Sequence, residues 1–398
     1  MSDPVPIYKP LITASKYFMR RALTSLIRIY ALLSGKPSQG TMTATPRRIL
    51  VMMGAHIGDA VIATSLIPVL RSAYPDVQIG FAVGSWSQMV VQGHPEVMFI
   101  HTLDYWRLNR SKTGFLKKWW RYRCTRRKAL REIREVGYDV AICAFPWIPD
   151  FLDVAWAARI PVRSGFSKSV FVSLATHAVD YPSSPFVTQG ACLAELLRAI
   201  GIGETHLSRR RSLLAPDVPE AVVEVCKLLS VKSLNGVRYQ VVHVGSGAPK
   251  RELPTATWRE LAMLNKDHTL VFTGRGQREH QAILEITRGL SNCIDACDKL
   301  SWRGYVAAVR NAEKVYGVES MAGHVSAAVG TECVVVYSGT AGVARWRPDG
   351  KLVTVITNHV PCAPCFLAEG CAAMTCMKDI NARQITAPAR HDEANREL

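Results

Sequence analysis

Short runs of apolar, often β-branched residues alternate with longer segments of helical periodicity, and this alternation occurs twice along the chain. In the first half the predicted strands are 49–54, 77–83, 98–103 and 138–144, and the longest predicted helix is 59–74. In the second half the predicted strands are 239–244, 269–273, 314–318, 333–337 and 352–356, and the predicted helices are 257–264, 278–290, 303–311 and 322–329. Strands that alternate with helices form parallel sheets covered on both faces. The sequence therefore predicts an α/β protein with two doubly wound domains.

The predicted domain boundaries follow from this alternation and from two irregular stretches, the Gly-, Pro-, Ser- and Thr-rich residues 35–46 and the polar, basic residues 204–211 with Pro216 and Pro219 after them. We predict an amphipathic basic helix and linker at 1–46, an N-terminal Rossmann-like domain at 47–205, an interdomain connection at 206–238, a C-terminal Rossmann-like domain at 239–380 and a tail at 381–398. Open α/β sheets bind ligands at the carboxyl ends of their strands. Two such domains that face each other therefore predict a functional site in a central cleft.

The composition excludes several other classes of protein. With 48% hydrophobic and 20% charged residues, the chain is typical of a folded globular protein and unlike a disordered or collagenous one. No uninterrupted apolar stretch reaches the roughly 18 residues that cross a bilayer, which argues against an integral membrane protein. An odd number of cysteines, 11, and a poor secretory signal favour the reducing cytoplasm.

The net charge of +17 is concentrated in two segments. Residues 1–50 hold eight Lys and Arg against one Asp, and residues 107–134 hold twelve against one Glu, so the rest of the chain is nearly neutral. The first segment has the periodicity of an amphipathic helix. Its apolar face is formed by Phe18, Met19, Ala22, Leu23, Leu26, Ile29, Tyr30 and Leu33, and its polar face by Lys16, Arg20, Arg21, Thr24 and Arg28. Such a helix either lies in the headgroup layer of an anionic membrane or docks on the protein's own body.

The second basic segment mixes aromatic residues with its cations. Phe115, Trp119, Trp120 and Tyr122 lie among the Lys and Arg residues of 107–134. Aromatic side chains beside cations suit either a membrane interface or a stacked nucleic acid. A solvated helix face would account for the same residues, and of the three interpretations we expect nucleic acid least.

The loop after the first predicted strand carries the strongest candidate for acid–base chemistry. It begins at Gly54 and ends at Gly58 and Asp59, where a helix starts. Glycines allow a tight turn that brings a side chain to the carboxyl edge of the sheet, so Asp59 is a candidate general base facing the cleft. His56 is a second candidate. The alternatives are that Asp59 only caps the helix and that His56 is only solvated.

A loop of small residues and cations follows the first strand of the second half. Residues 244–251 run from Val244 through Ser246 to Lys250 and Arg251. Backbone amides and the two cations could approach the oxygens of an anionic diphosphate together. The loop matches neither a dinucleotide fingerprint nor a Walker loop, so in isolation it is a weak signal.

A third loop places an acid and a hydroxyl between a strand and a helix. Residues 316–324 contain Glu319 and Ser320 immediately before the predicted helix. The helix N-terminus would direct amides at a phosphate, and Glu319 could accept hydrogen bonds from sugar hydroxyls. A capping arrangement explains the same residues, and His324 would then be a packed helical histidine.

Four cysteines lie within 15 residues near the end of the chain. They are Cys362, Cys365, Cys371 and Cys376. Four thiols this close could bind a structural zinc ion or an iron–sulfur cluster, or form two disulfides under oxidising conditions. Separate buried thiols are the remaining interpretation.

Taken together, these pieces resemble glycosyltransferase family 9, the lipopolysaccharide heptosyltransferase-like enzymes of the GT-B fold. The similar stretches are 48–59, within which the loop 54–56 departs from the small residues usual there, 68–76, 250–254, Trp258, 319–324, 327–330, 361–366 and 376–377. The resemblance extends from about residue 47 to residue 380 and leaves the N-terminal helix outside. It implies two Rossmann-like domains facing a central cleft.

The resemblance also implies a reaction and its residues. The reaction is inverting transfer of a sugar, heptose or a related one, from a nucleotide-diphosphate donor to a lipid-linked saccharide, with Asp59 as the general base and with no metal or cofactor required for catalysis. The implied donor-binding residues are Ser246, Lys250, Arg251, Gly274, Glu279, Glu319, Ser320, Met321, Ala322, Gly323 and His324. The implied acceptor-side or membrane-side residues are His56, Gly58, Lys117, Lys118, Arg121 and Arg123.

Several residues depart from the family pattern. Glu319 occupies the position of a usual aspartate, and Met321 stands where glycine is common. A longer acid and a bulky side chain would crowd a donor-sugar pocket, so the donor could differ from ADP-heptose or the activity could be reduced. Arg251 stands where the family commonly has a lysine.

The expected partners are a nucleotide-diphosphate sugar, an anionic glycolipid acceptor and the cytoplasmic membrane surface, with no nucleic acid. The expected location is the cytoplasm, peripheral on the inner face of the plasma membrane. Two other functions stay open on the sequence alone. One is a sugar-nucleotide epimerase of the same architecture, and the other is a catalytically weak, membrane-tethered protein that binds nucleotide sugars.

Overall fold

The structure is a computed structural model that describes residues 45–184, 186–340, 342–367 and 370–387. The predicted amphipathic helix therefore lies outside the described residues, as does most of the predicted C-terminal tail. Among the described residues, none of the helices combines the length and apolar character needed to span a membrane.

The first lobe is built around a parallel sheet. Its strands in the described chain are β1 (Arg48–Met53), β2 (Gln78–Val83), β3 (Val97–Thr102), β4 (Val140–Cys143), β5 (Val162–Phe166) and β6 (His177–Val179). Its helices are α1 (Ile57–Ala63), α2 (Leu66–Ala73), α3 (Gln88–Val91), α4 (Phe115–Val136), α5 (Leu152–Ala157), α6 (Gln189–Ala199) and α7 (Glu204–Leu207). The central strand β1 is completely buried from Ile49 to Met53, as expected for a strand covered by helices on both faces.

The second lobe repeats this architecture. Its strands in the described chain are β7 (Tyr239–His243), β8 (Thr269–Thr273), β9 (Cys293–Asp295), β10 (Lys314–Val318), β11 (Glu332–Tyr337) and β12 (Val353–Thr357). Its helices are α8 (Pro219–Leu229), α9 (Thr255–Leu264), α10 (Gln277–Thr287), α11 (Trp302–Arg310), α12 (Met321–Val329), α13 (Val343–Trp346), α14 (Thr375–Lys378) and α15 (Ala382–Thr386). Helix α8 packs on α11, and α15 packs on α9.

The two sheets have the same strand order. The first sheet is ordered β3-β2-β1-β4-β5-β6 and the second β12-β11-β10-β7-β8-β9, with every strand pair parallel. In each lobe the chain changes direction across the sheet beside its first strand, between β1 and β4 and between β7 and β10. Ligands of open α/β sheets bind at the carboxyl ends of the strands that flank this switch point. The predicted pair of doubly wound, Rossmann-like lobes is confirmed.

The elements differ from the sequence prediction in a few places. The predicted helix 59–74 is two helices, α1 and α2, separated by Thr64 and Ser65. The Thr64 hydroxyl donates to the Val61 carbonyl at 2.6 Å and accepts from the backbone N–H of Leu213 at 2.9 Å. This contact ties the break between the helices to the interdomain connection.

The two lobes touch along the cleft. Helix α1 of the first lobe packs directly on α12 of the second. On the far side of the interface, the buried guanidinium of Arg345 donates to the carbonyls of Pro182 and Ser184, at 2.8 and 2.6 Å, and lies 4.7 Å from the ring centre of Tyr181. The structure therefore shows the lobes in a closed arrangement.

Candidate active site

Asp59 lies at the carboxyl end of β1, on the first turn of α1. Its Oδ2 accepts the backbone N–H of His56 at 3.1 Å, so the carboxylate also caps the helix, as the alternative interpretation expected. The side chain is nevertheless only half-buried. Capping occupies Oδ2 with one backbone N–H, and an ionised carboxylate has further acceptor sites.

The surroundings of Asp59 favour its action as a base near neutral pH. Burial raises its pKa to about 6, against the opposing effects of backbone hydrogen bonds and the charge of Arg110. Burial, and then the same charge, lower the pKa of His56 to about 4, so His56 is neutral at physiological pH. A general base works best with a pKa near the working pH, and Asp59 fits this requirement better than His56.

Glu319 lies opposite, at the carboxyl end of β10 in the second lobe. Its Oε1 is 2.9 Å from Nη1 of Arg251, and its Oε2 accepts from the Ser338 hydroxyl at 3.1 Å. Both carboxylate oxygens therefore already have a protein partner. Burial raises the pKa of Glu319, while Arg251 and then Ser338 favour the ionised form.

The residues after Glu319 form the start of α12. The Ser320 hydroxyl caps the helix by accepting from the Ala322 N–H at 3.3 Å. Gly323 is closely packed, because a Cβ atom there would lie 2.8 Å from a methyl group of Val335. The capping interpretation therefore holds for Ser320, whereas the helix amides still point toward the cleft edge of the lobe.

Two more loops of the second lobe are joined by carboxylates. The N–H of Ser246 donates to Glu252 at 2.7 Å, and its hydroxyl donates to the Glu319 carbonyl at 3.3 Å. Glu279, predicted as a donor-binding residue, accepts the Arg275 N–H at 2.9 Å and packs against Gly274. Burial raises its pKa.

Lys250 and Arg251 are adjacent in the sequence but separate in space. Arg251 turns into the lobe toward Glu319, with 21% of its side chain exposed. Lys250 is exposed, and its side chain lies against Gly370. The two cations therefore do not converge on one point in this arrangement, and their predicted role as diphosphate ligands stays a prediction.

Gly58 is a point of close approach between the two lobes. A Cβ atom on Gly58 would lie 3.3 Å from Cδ2 of His324 and 3.7 Å from the Cα of Met321. Burial lowers the pKa of His324 to about 4, so this histidine packs as a neutral side chain, in agreement with the packed interpretation. The space beside His324, which Gln189 also lines, is a cavity of about 20 Å³. That volume holds about one water molecule.

Arg110 is a site residue that the sequence patterns did not distinguish from the other cations of its segment. It lies on the loop between β3 and α4, and its guanidinium crosses to the second lobe and lies against Gly247, where a Cβ atom would overlap it. Its charge also lowers the pKa values of Asp59 and His56. Arg110 thus connects the loop after β1 with the loop after β7.

The predicted acceptor-side cations of α4 do not gather around Asp59. Helix α4 packs on the edge strand β3, which is separated from β1 by β2. Arg121 reaches the buried carboxylate of Asp104 at 2.5 Å, and Arg123 stacks on Trp119 at 4.9 Å. Lys117 and Lys118 lie on the first turn of α4, and the acceptor-side or membrane-side role of these cations stays a prediction.

The structure does not bring the four clustered cysteines into one site. Cys362 is exposed, Cys376 is buried on α14, and Cys365 and Cys371 are half-buried, all with free thiols. Within the described ranges no group of three or more Cys, His, Asp or Glu side chains has a metal-binding arrangement. The described geometry is that of separate thiols, and a zinc or iron–sulfur site at these cysteines stays a prediction.

Comparisons with known proteins agree with this geometry. Residues 126–374 match the model of glycosyltransferase family 9 (heptosyltransferase). A glycosyl transferase family 9 structure from Veillonella parvula has a TM-score of 0.65 at 18% identity, covering 80% of this chain and 88% of that one. The ADP-heptose lps heptosyltransferase II of E. coli has a TM-score of 0.64 at 18% identity, covering 85% and 96%.

A third structure, the E. coli heptosyltransferase WaaC with ADP, has a TM-score of 0.60 at 15% identity and covers 77% of this chain and 92% of that one. No curated protein matches the sequence significantly. Two Rossmann-like lobes with their switch points at one interface define the GT-B fold of glycosyltransferases. Within that class, the chain belongs to glycosyltransferase family 9.

Proposed function

We propose that this glycosyltransferase inverts the anomeric centre of a sugar, heptose or a related one, as it transfers it from a nucleotide-diphosphate donor to a lipid-linked saccharide. The process would be cell-envelope glycan synthesis of the lipopolysaccharide-core type. The observation that carries the proposal is Asp59, a half-buried carboxylate with a pKa of about 6 at the switch point of the first lobe. Support for the donor class comes from the similar E. coli proteins, whose names specify ADP-heptose and ADP.

In the proposed mechanism Asp59 accepts the proton of the acceptor hydroxyl. The hydroxyl oxygen forms a bond to the anomeric carbon while the bond from that carbon to the diphosphate oxygen breaks. The bonding electrons leave with the nucleoside diphosphate, and Asp59 later releases its proton to solvent. Arg251 and the amides at the start of α12 would stabilise the charge on the leaving diphosphate, which is why the proposal requires no metal ion.

Because the lobes are in contact beside Asp59, the proposed mechanism requires them to move. Asp59 directly follows Gly58, whose backbone lies close to α12, and its helix α1 packs directly on α12. The lobes therefore separate to admit the substrates and close again around them. Closure would bring Arg110 to Gly247 and restore its charge beside Asp59.

Glu319 has a different proposed role from the one that its motif implies. Its side chain is long enough to reach Arg251, and both of its oxygens are engaged by Arg251 and Ser338. We assign Glu319 as a positioning residue that orients the Arg251 guanidinium. The donor sugar would then be recognised with less help from this acid, in line with a donor other than ADP-heptose.

The acceptor side is proposed from charge. Basic segments at 1–50 and 107–134 would attract an anionic glycolipid at the inner face of the plasma membrane. The protein would accordingly be a peripheral enzyme on the cytoplasmic side.

The test uses cells that lack this gene and are complemented with wild-type protein or with Asp59→Asn. Mass spectrometry of their lipid-linked saccharides should show that the wild type adds one sugar, whereas Asp59→Asn adds none above background. General-base removal should lower turnover by roughly 10²–10⁴-fold. The purified variant should still bind ADP or UDP, whichever the wild type binds, with a Kd within about threefold, because Asp59 does not contact the nucleotide in the proposal.

The matched control is Asp76→Asn, which removes an exposed carboxylate of the same lobe and should restore the full saccharide. Restoration by Asp59→Asn would exclude Asp59 as the base. A wild type that binds the nucleotide but adds no sugar would identify a binding protein. Interconversion of two free nucleotide sugars without an acceptor would identify an epimerase.

A further inference from the structure

The first half of α4 carries a cluster of exposed apolar side chains. Leu116 is 76% exposed, Trp120 62%, Phe115 55% and Trp119 38%. The buried positions of this helix, Ala129 and Ile133, lie in its second half. Large apolar side chains gathered on a surface usually mark an interaction site, whereas single ones are ordinary.

The same helix presents a row of cations in line with these apolar residues. Leu116, Trp120, Arg123, Arg127 and Arg131 follow one another at intervals of three or four, so they share one face of α4. All five are exposed. This outer face therefore has an apolar end and a basic stripe.

The charge of this surface selects its partner. From residue 115 to residue 131 the helix contains no acid, and the first carboxylate is Glu132, which lies 3.2 Å from His101 on the inner side. The segment 1–50 is also strongly basic, and a second copy of the chain would present the same cations. Both would be repelled by the stripe, so the complementary surface is an anionic one.

We propose that the outer face of α4 docks on the anionic cytoplasmic leaflet of a bilayer. Leu116 and the indole rings would enter the interfacial layer, and the arginines would contact lipid phosphates. This inference rests on the proposed function, in which the acceptor is lipid-linked. It adds the surface through which the enzyme meets that lipid and the orientation in which it does so.

The orientation follows from contacts between α4 and the cleft. Phe115 packs edge-to-face on Trp106 at 5.0 Å, and Arg121 holds the buried Asp104 at 2.5 Å. The loop between Asp104 and Phe115 is the one that carries Arg110 to Gly247 in the second lobe. Docking by α4 would therefore place the mouth of the cleft beside the bilayer, within reach of a membrane-bound saccharide.

The test places a reporter on the surface itself. Cys124 is exposed and lies four residues after Trp120, so it sits beside the proposed contact. An environment-sensitive fluorophore would be attached to Cys124 in the full chain carrying Cys362→Ser. The matched control is the full chain carrying Cys124→Ser, which keeps its other exposed thiol, Cys362, on the second lobe.

The Cys124 probe should shift to the blue with vesicles containing about one-third phosphatidylglycerol and only weakly with pure phosphatidylcholine, and the shift should decline with salt. The Cys362 probe should not respond. The double variant Leu116→Ser/Trp120→Ser should weaken vesicle binding seen by the Cys124 probe by roughly tenfold or more, and Arg127→Gln/Arg131→Gln should do likewise. The control variants Leu284→Ser and Lys227→Gln, both at exposed positions of the second lobe, should change binding by less than about twofold.

Three results would overturn the proposal. The protein could sediment with vesicles while the Cys124 probe stays silent, the probe could respond to protein concentration in the absence of lipid, or it could respond more strongly to an oligonucleotide than to vesicles. No donor or acceptor is present in these measurements. Asp59→Asn should therefore dock normally, so loss of docking and loss of catalysis can be told apart.

Discussion

The two lobes share one strand order but place opposite chemistry at equivalent loops. The first strand of the first lobe, β1, leads to Asp59, whose pKa burial raises to about 6. The first strand of the second lobe, β7, leads to Arg251, which is held by Glu319 at 2.9 Å. The backbone topology is therefore common to both lobes, and in the proposed mechanism the side chains after β1 and β7 assign proton transfer to the first lobe and anion binding to the second.

The two lobes also differ in the surroundings of their acids, Asp59 and Glu319. Asp59 and Glu319 are both at carboxyl ends of switch-point strands, and burial raises both pKa values. Glu319 is in direct contact with a cation, Arg251. The charge of Arg110, by contrast, has the smallest of the effects that shift the pKa of Asp59. A carboxylate bound to arginine is a poor proton acceptor, which supports the proposed roles of Asp59 as the base and Glu319 as a positioning residue.

Within the second lobe, the largest effect should come from removing its half-buried cation, Arg251. Arg251→Gln should lower kcat/KM for the donor by about 100-fold, because a half-buried guanidinium near a leaving diphosphate contributes a charge-assisted contact that glutamine lacks. Steady-state kinetics with varied donor would measure it. The matched control is Lys250→Gln, which removes an exposed cation one residue away and should change kcat/KM by less than about threefold.

If Lys250→Gln proved as damaging as Arg251→Gln, the separation of the two cations seen here would not describe the donor-bound enzyme. The loop after β7 would then have to rearrange when the donor binds, so that both Lys250 and Arg251 contact it.

The pH dependence of sugar transfer tests the proposed role of Asp59, the base of the first lobe. Asp59 must be ionised to accept a proton, and its pKa is about 6. Below pH 6, kcat/KM should fall about tenfold for each pH unit, and above it the rate should level off. His56 has a pKa of about 4 and does not titrate in this window. A rate independent of pH between 5 and 7 would contradict the assignment.

Most of the fold could be predicted from local sequence patterns. Three strands, β5, β6 and β9, could not, and they show where such patterns fail. β5 contains Arg163 and Ser164 between apolar residues, which hides its character as a buried strand. The Arg163 guanidinium is nevertheless satisfied, because it donates to the Leu174 carbonyl at 2.6 Å. The other two, β6 and β9, are edge strands of three residues, too short for a periodic signal.

The candidate site also has a part that the sequence predicts and a part that it does not. The position of Asp59 could be predicted, because a strand, a glycine turn and a helix follow one another in the sequence. The Arg251–Glu319 pair and the contact of Arg110 with Gly247 join residues far apart in the chain. No local pattern distinguishes Arg110 from the other cations of its segment, so only the packing of the two lobes identifies it.

The smallest effect should appear in stability. The folded protein raises the pKa of Asp59 from 3.8 to about 6, so the native state favours the protonated acid. The stabilisation from protonated Asp59 is therefore fully present below about pH 4 and is lost as the pH rises through 6.

The amide introduced by Asp59→Asn cannot ionise but can still accept the His56 N–H. Allowing for the partial exposure of the side chain, the variant should exceed the wild type in free energy of unfolding by about 1–2 kcal/mol at pH 7 and match it near pH 4. Urea denaturation at the two pH values would measure the difference, with Asp76→Asn expected to show none. An Asp59→Asn variant that is less stable at pH 7 would show that the ionised carboxylate supports the fold, and the contrast with the arginine-bound acid of the second lobe would disappear.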